Sequence, residues 1–111
     1  MKSFDVRALA ADEGGEYVLG MKDLDTHACY LIYGTLRPGE GGRRVEPGHG
    51  HEEILCVVSG TLLIHAPGED FTLETGHAVH VREDGSFEIS NPGREEAVYV
   101  MAGGHPRPHH H

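Results

Sequence analysis

Pro47-Gly48-His49-Gly50-His51-Glu52-Glu53-Ile54-Leu55-Cys56-Val57-Val58-Ser59-Gly60 sets two histidines and two carboxylates ahead of an apolar run that stops at a Ser-Gly pair. Read as a strand, the run puts Glu53, Leu55 and Val57 on one face, because successive side chains point to opposite sides. A carboxylate on an apolar face is costly unless it is paired or bound to a metal. His49, His51 and Glu53 are side-chain types that hold a divalent transition metal such as zinc, iron, manganese or nickel. Residues two apart on a strand lie about 6.6 Å apart and reach one ion, whereas residues four apart lie about 13 Å apart and do not. For His49 and Glu53 to share an ion, the backbone must turn between them. Gly48 and Gly50 make that turn cheap, since glycine tolerates positive φ. Glu52 has the opposite parity and is expected to face solvent or a partner.

The pattern around this stretch is one of short apolar runs separated by turn residues. Residues 54–58 and 61–65 flank Ser59-Gly60, which reads as a tight hairpin. Pro67-Gly68, Glu74-Thr75-Gly76, Glu83-Asp84-Gly85 and Asn91-Pro92-Gly93 lead in turn to runs at 71–73, 77–81, 86–90 and 97–101. Upstream, residues 27–36 form the longest β-rich run, with neither face polar, and 17–19 a shorter one. Residues 4–8 alternate like an edge strand, and 6–13 is the only segment with a helical period, for a turn or two. Runs recurring about every ten residues indicate an antiparallel all-β sandwich or barrel. The 111 residues allow one domain, spanning 1–104, with a His/Pro tail at 105–111. The tail reads either as the remnant of a purification tag or as a native loose metal-binding segment.

With these runs in place, the stretch resembles the first motif of the cupin superfamily, G-x5-H-x-H-x3,4-E-x6-G. Glu53 to Gly60 matches E-x6-G in full, and Pro38-Gly39 resembles the turn that enters the motif. Residues 76–91 have the length of the second motif, G-x5-P-x-G-x2-H-x3-N. The resemblance covers about residues 30–101 and implies a jelly-roll β-barrel, in agreement with the strand spacing. Three positions depart from it. Counting back from Gly60, His49 falls on the second histidine and Pro47 on the first. Phe87 stands in place of the second-motif histidine. Arg82 and Asp84 replace that motif's proline and glycine. A second alignment takes His49-Gly50-His51 as the His-x-His pair, with a shortened turn before Glu53.

The metal ligands this implies are His49, His51, Glu53 and His80. His77 and His80 are three apart, so a regular strand sends them to opposite faces. Hydrophobic parity, through Val79 and Val81, favours His77 inward. Family position favours His80, and His80 is the residue expected to face the lumen. His27 and His65 read as ordinary strand-end residues. Cys29 and Cys56 lie in apolar runs and are expected to be buried reduced thiols.

Charge narrows the function. Eighteen acidic against nine basic residues give a net charge of −9. Nucleic-acid binders carry basic faces, and anionic membranes attract them, so neither is an expected partner. No apolar run approaches the ~18 residues that span a bilayer. No positive region followed by an apolar stretch marks a signal peptide, and a cytoplasmic protein is expected. Phosphate-binding loops, Cys-x-x-Cys pairs and G-x-S-x-G elbows are absent from the sequence.

The resemblance therefore implies a small metal-binding barrel with a small-molecule ligand in its lumen. An oxygenase, isomerase or decarboxylase acting on a small organic molecule is one reading. A non-catalytic small-molecule or metal sensor is the alternative, and the missing second-motif histidine favours it. A purely structural role is the third. Exposed sheet faces and edges lead to the expectation of a homodimer, with the run at 27–36 near its interface and the segment from Phe4 as an exchanged strand.

Overall fold

The computed structural model describes residues 1–48 and 50–104. His49 and the tail at 105–111 lie outside the described residues. The chain runs α1 (Val6–Asp12), β1 (Glu16–Leu19), α2 (Met21–Leu24), β2 (Tyr30–Leu36), β3 (Arg43–Val45), β4 (Glu52–Ser59), β5 (Thr61–Ala66), β6 (Glu69–Glu74), β7 (Ala78–Val81), β8 (Phe87–Ser90) and β9 (Ala97–Gly104). The strands form two antiparallel sheets: five strands in the order β1-β2-β9-β4-β7, and four in the order β3-β8-β5-β6. This is the antiparallel jelly-roll that the punctuated runs predicted.

Alternation sorts the side chains as strand geometry requires. Leu55, Val57, Tyr99, Met101, Leu36 and Val81 from the larger sheet pack against Leu62, Ile64, Leu73, Ile89 and Val45 from the smaller one. Full burial of each aliphatic side chain stabilises the fold by roughly 1.5–3 kcal/mol. Phe87 packs against this core, so the position of the second-motif histidine belongs to the apolar filling. The hairpin at Ser59-Gly60 depends on Gly60, whose φ of 80° suits glycine. Asn91, almost fully buried, ties the turn before β9 together. Its Nδ2 donates to the carbonyls of Leu36 at 3.0 Å and Glu95 at 2.7 Å, and its Oδ1 accepts from the Gly93 N–H at 2.9 Å.

Three expectations change. The N-terminal segment is a helix, not an edge or exchanged strand. Asp5 caps it, accepting from the Ala8 N–H at 3.0 Å, and Ala10 is buried. A side-chain cap and alanines outweigh a short alternation. Residues 21–24, with no apolar period of their own, form the single turn α2. Cys29 is exposed and Cys56 half-buried, and no disulfide joins them. Cys29 precedes β2, which starts only at Tyr30.

Candidate functional site

The register across the larger sheet builds the site. Tyr30 on β2 pairs with Gly103 on β9, and Gly103 pairs with Glu53 on β4. The three stand in one row on the inner face. Gly103 leaves a gap in that row: a Cβ there would lie 2.6 Å from the Tyr30 hydroxyl and 2.7 Å from the Glu52 carbonyl oxygen. Tyr30 therefore crosses its neighbouring strand and donates its hydroxyl to Glu53 Oε2 at 2.5 Å. Glu53 is only 5 % exposed, and this bond supplies the partner that a carboxylate on the inner face needs. Burial first, then the bond and charge of Glu53, raise the Tyr30 phenol above its ordinary value. The phenol stays protonated at neutral pH and remains the donor.

This pair lines a hollow of about 320 Å³, bounded by β1, α2, β2 and the chain leading into β4. Val18, Met21 and Ile32 supply an apolar wall, and His51 enters from the turn. The turn is the one that Gly48 and Gly50 were expected to permit. Gly50 has a φ of 78° and donates its N–H to Glu83 Oε2 at 2.9 Å, and the His51 N–H bonds to the Gly48 carbonyl at 2.9 Å. The ring of His51 stands 5.6 Å from that of Tyr30, tilted by 40°. Thr26, His27 and Cys29, ahead of β2, line the same hollow.

His51 and Glu53 thus line one hollow. His80 does not join them. It pairs with Ile54, on the face opposite Glu53, and its Nε2 sits 2.5 Å from Glu52 Oε1 with both side chains exposed. Hydrophobic parity was the better guide: Val79 and Val81 pair with Leu55 and Glu53 and face inward. His77 has the same parity but precedes the strand and is exposed. Pro47, in the place of the family's first histidine, is buried.

A structural or catalytic zinc-type site takes three or four protein ligands. Among the described residues, no three His, Cys, Asp or Glu side chains form a group that would hold a metal ion. The described donors of the hollow do not by themselves fit a resident metal.

Two further polar constellations were not foreseen from the sequence. Tyr99 on β9 lies across Gly34 on β2, where a Cβ would stand 2.2 Å from its Cζ, and its hydroxyl donates to Glu16 Oε2 on β1. Arg43, from the opposite sheet, donates to the Tyr99 hydroxyl at 3.0 Å and to the Thr35 carbonyl at 2.8 Å. Burial and Glu16 raise the Tyr99 phenol well above its ordinary value, with Arg43 partly opposing them. The only sequence signal was a tyrosine and a glycine at matching parity on two apolar runs.

The second constellation is on the outer face of the smaller sheet. There Ser90 Oγ is 3.1 Å from His65 Nε2, and His65 Nδ1 is 3.4 Å from Asp70 Oδ2. The order is that of a serine-hydrolase triad. The side chains of His65 and Asp70 are, however, 41 % and 64 % exposed, and exposed pairs of this kind hold each other by only about 0–1 kcal/mol. Such a carboxylate does not fix the imidazole. The group is a cross-strand polar ladder on a wet face.

No family model matches the chain, and no curated protein is significantly similar to it. Solved structures are similar in fold. A cupin protein from Bacteroides fragilis superposes with a TM-score of 0.72 at 18 % identity, covering 100 % of this chain and 86 % of its own. The cupin domain of an XRE family transcriptional regulator from Enterobacter cloacae gives 0.68 at 22 %, covering 84 % and 99 %. A predicted oxalate decarboxylase from Thermotoga maritima gives 0.67 at 18 %, covering 82 % and 81 %. The chain has the cupin fold. At these identities the likeness concerns architecture, and one architecture hosts many functions.

Proposed function

We propose that this chain is a small-molecule-binding cupin barrel whose ligand sits in the hollow between β1, α2, β2 and the 48–53 turn. The observation that carries this reading is the Tyr30–Glu53 pair lining a hollow whose apolar wall is Val18, Met21 and Ile32. An apolar cleft with a few convergent polar groups is the usual form of a ligand site, and about 320 Å³ is at the small end of the range. The barrel centre is filled by side chains, so the ligand occupies the mouth rather than the middle. Among the fold neighbours, one is a domain of a transcriptional regulator and another a predicted decarboxylase. The two rival readings, sensor and enzyme, thus both have counterparts in this architecture.

A divalent transition metal at the same mouth is the competing reading, favoured by His51 and Glu53 lining one hollow. Calorimetric titration with zinc or manganese, on protein lacking residues 105–111, separates the two. The small-molecule reading expects no stoichiometric binding that His51→Ala and Glu53→Ala both abolish. Binding lost in both variants establishes the metal reading.

A homodimer is part of the proposal, with a second copy covering the outer face of the five-stranded sheet. Ile54 and Val58 there are 54 % and 51 % exposed, and neighbouring positions on that face are Val98, Val100, Ala102 and Ala78. Light scattering at micromolar concentration should give twice the chain mass, and Ile54→Lys should halve it. A monomer in the unsubstituted protein removes this element.

A further inference from the structure

We infer that the hollow selects a compact apolar molecule with a hydrogen-bond-donating head, above all an amine, and excludes the matching carboxylate. This rests on the ligand-site reading above and adds the class of ligand. The Tyr30 hydroxyl has one hydrogen, and it is directed at Glu53 Oε2. A carboxylate offers about four lone-pair positions and no donor. The polar end of the hollow is therefore rich in acceptors once Tyr30 and Glu53 have bonded to each other.

Charge points the same way. Glu53 is negative and almost fully buried. Among the described residues, no lysine or arginine lines the hollow to offset a ligand's negative charge. Around the hollow, the chain as a whole carries −9. An anionic head would meet a like charge in a partly desolvated place, which is unfavourable, whereas an ammonium would find an opposite charge. The tilted rings of Tyr30 and His51 form an aromatic corner beside Glu53, and aromatic faces attract organic cations. Val18, Met21 and Ile32 then cover the apolar body. Among the described residues, no guanidinium lines the hollow to receive a carboxylate bidentately, and its other donors are the His27 and His51 imidazoles and the Thr26 hydroxyl.

The test uses three probes on one skeleton: benzylamine, benzyl alcohol and benzoate, titrated at pH 8 into the full chain and followed by protein-observed NMR. Benzylamine should bind at least ten-fold more tightly than benzoate, with benzyl alcohol between them, and shifts should centre on Val18, Ile32 and Tyr30. Glu53→Gln should bring benzylamine down to the level of the alcohol. Because Glu53 is buried, Val18→Lys serves as a second variant: Val18 is 54 % exposed, so the new cation stands at the rim without disturbing the core. It should weaken benzylamine and improve benzoate by several-fold each. Benzoate binding as tightly as the amine, or amine binding unchanged in both variants, overturns the ligand class while leaving the site. No shift at Val18, Ile32 or Tyr30 with any probe overturns the site itself.

Discussion

Tyr30 crosses Gly103 to reach Glu53, and Tyr99 crosses Gly34 to reach Glu16. The two bridges share one sheet, one face and one construction: a tyrosine, a glycine on the adjacent strand that leaves room for the ring, and a glutamate on the strand beyond. They differ in what lies above them. Over Tyr99 the opposite sheet brings Arg43, which donates to the phenol and to the Thr35 carbonyl and also approaches Glu40 Oε2 at 3.5 Å. Over Tyr30 lies a hollow edged by His51, with no lysine or arginine lining it among the described residues. The same local device is thus a clasp between sheets where it is covered, and lines the proposed ligand hollow where it is not. Cover, more than composition, separates the two bridges.

The largest effect expected from breaking this symmetry is at the covered bridge. Gly34→Ala drives a Cβ to 2.2 Å from a fully buried ring, and should cost about 3 kcal/mol or more, at or above the usual range for overpacking. Gly103→Ala should cost about 1–3 kcal/mol, because Tyr30 has the hollow to tilt into while the Glu52 carbonyl must give way. Urea unfolding of both variants measures the difference. Equal costs would show that the hollow gives Tyr30 no freedom.

Arg43→Met tests the clasp next. It removes the cation that donates to the Tyr99 hydroxyl and the Thr35 carbonyl and should cost about 2–3 kcal/mol, as expected for hydrogen bonds to a charged group in a partly buried setting. The site bridge should be unaffected, so benzylamine affinity is expected to stay within two-fold of the unsubstituted protein.

Alkaline pH sharpens the comparison further. Both phenols are raised in the folded state, so above about pH 10 the unfolded chain loses protons that the folded one keeps. Stability is therefore fully present below pH 10 and falls as pH rises, by up to about 1.4 kcal/mol per pH unit for the deeply buried Tyr99 and by less for the solvent-screened Tyr30. Tyr99→Phe should flatten this slope more than Tyr30→Phe, since Tyr99 is the more deeply buried. Denaturant midpoints at pH 9, 10 and 11 check the order.

The smallest effect belongs to the outer face. His80→Ala removes an imidazole whose partner Glu52 is equally exposed, and should change stability by no more than about 0.5 kcal/mol. Binding of the amine probe should not change. A loss of affinity would mean that His80 communicates with the hollow after all.

Much of this molecule was legible before its structure. The punctuated apolar runs marked the strands, Ser59-Gly60 marked the hairpin, and the parity of Glu53 with Leu55 and Val57 placed a carboxylate indoors. Gly50 took the positive φ that the 48–53 turn required. The failures have physical causes. At 4–8, a five-residue alternation resembled an edge strand, but Asp5 capped a helix instead. At 77–81, family position points to His80 and hydrophobic parity to His77, and both side chains are exposed, His80 opposite Ile54 and His77 ahead of the strand. The clasp of Glu16, Arg43 and Tyr99 left almost no sequence signal, because its members come from three strands far apart in the chain.

Local chemistry determined the elements of this protein. Alternation, turn glycines and prolines act over a few residues, so they can be read from a single sequence, and so can the residue types gathered in the 47–60 stretch. Only the tertiary structure decided which tyrosine meets which glutamate. Tyr30 and Glu53 are 23 residues apart, and Tyr99 and Glu16 are 83. Their meeting depends on the register of three strands at once, because a slip of one residue would turn each side chain to the other face.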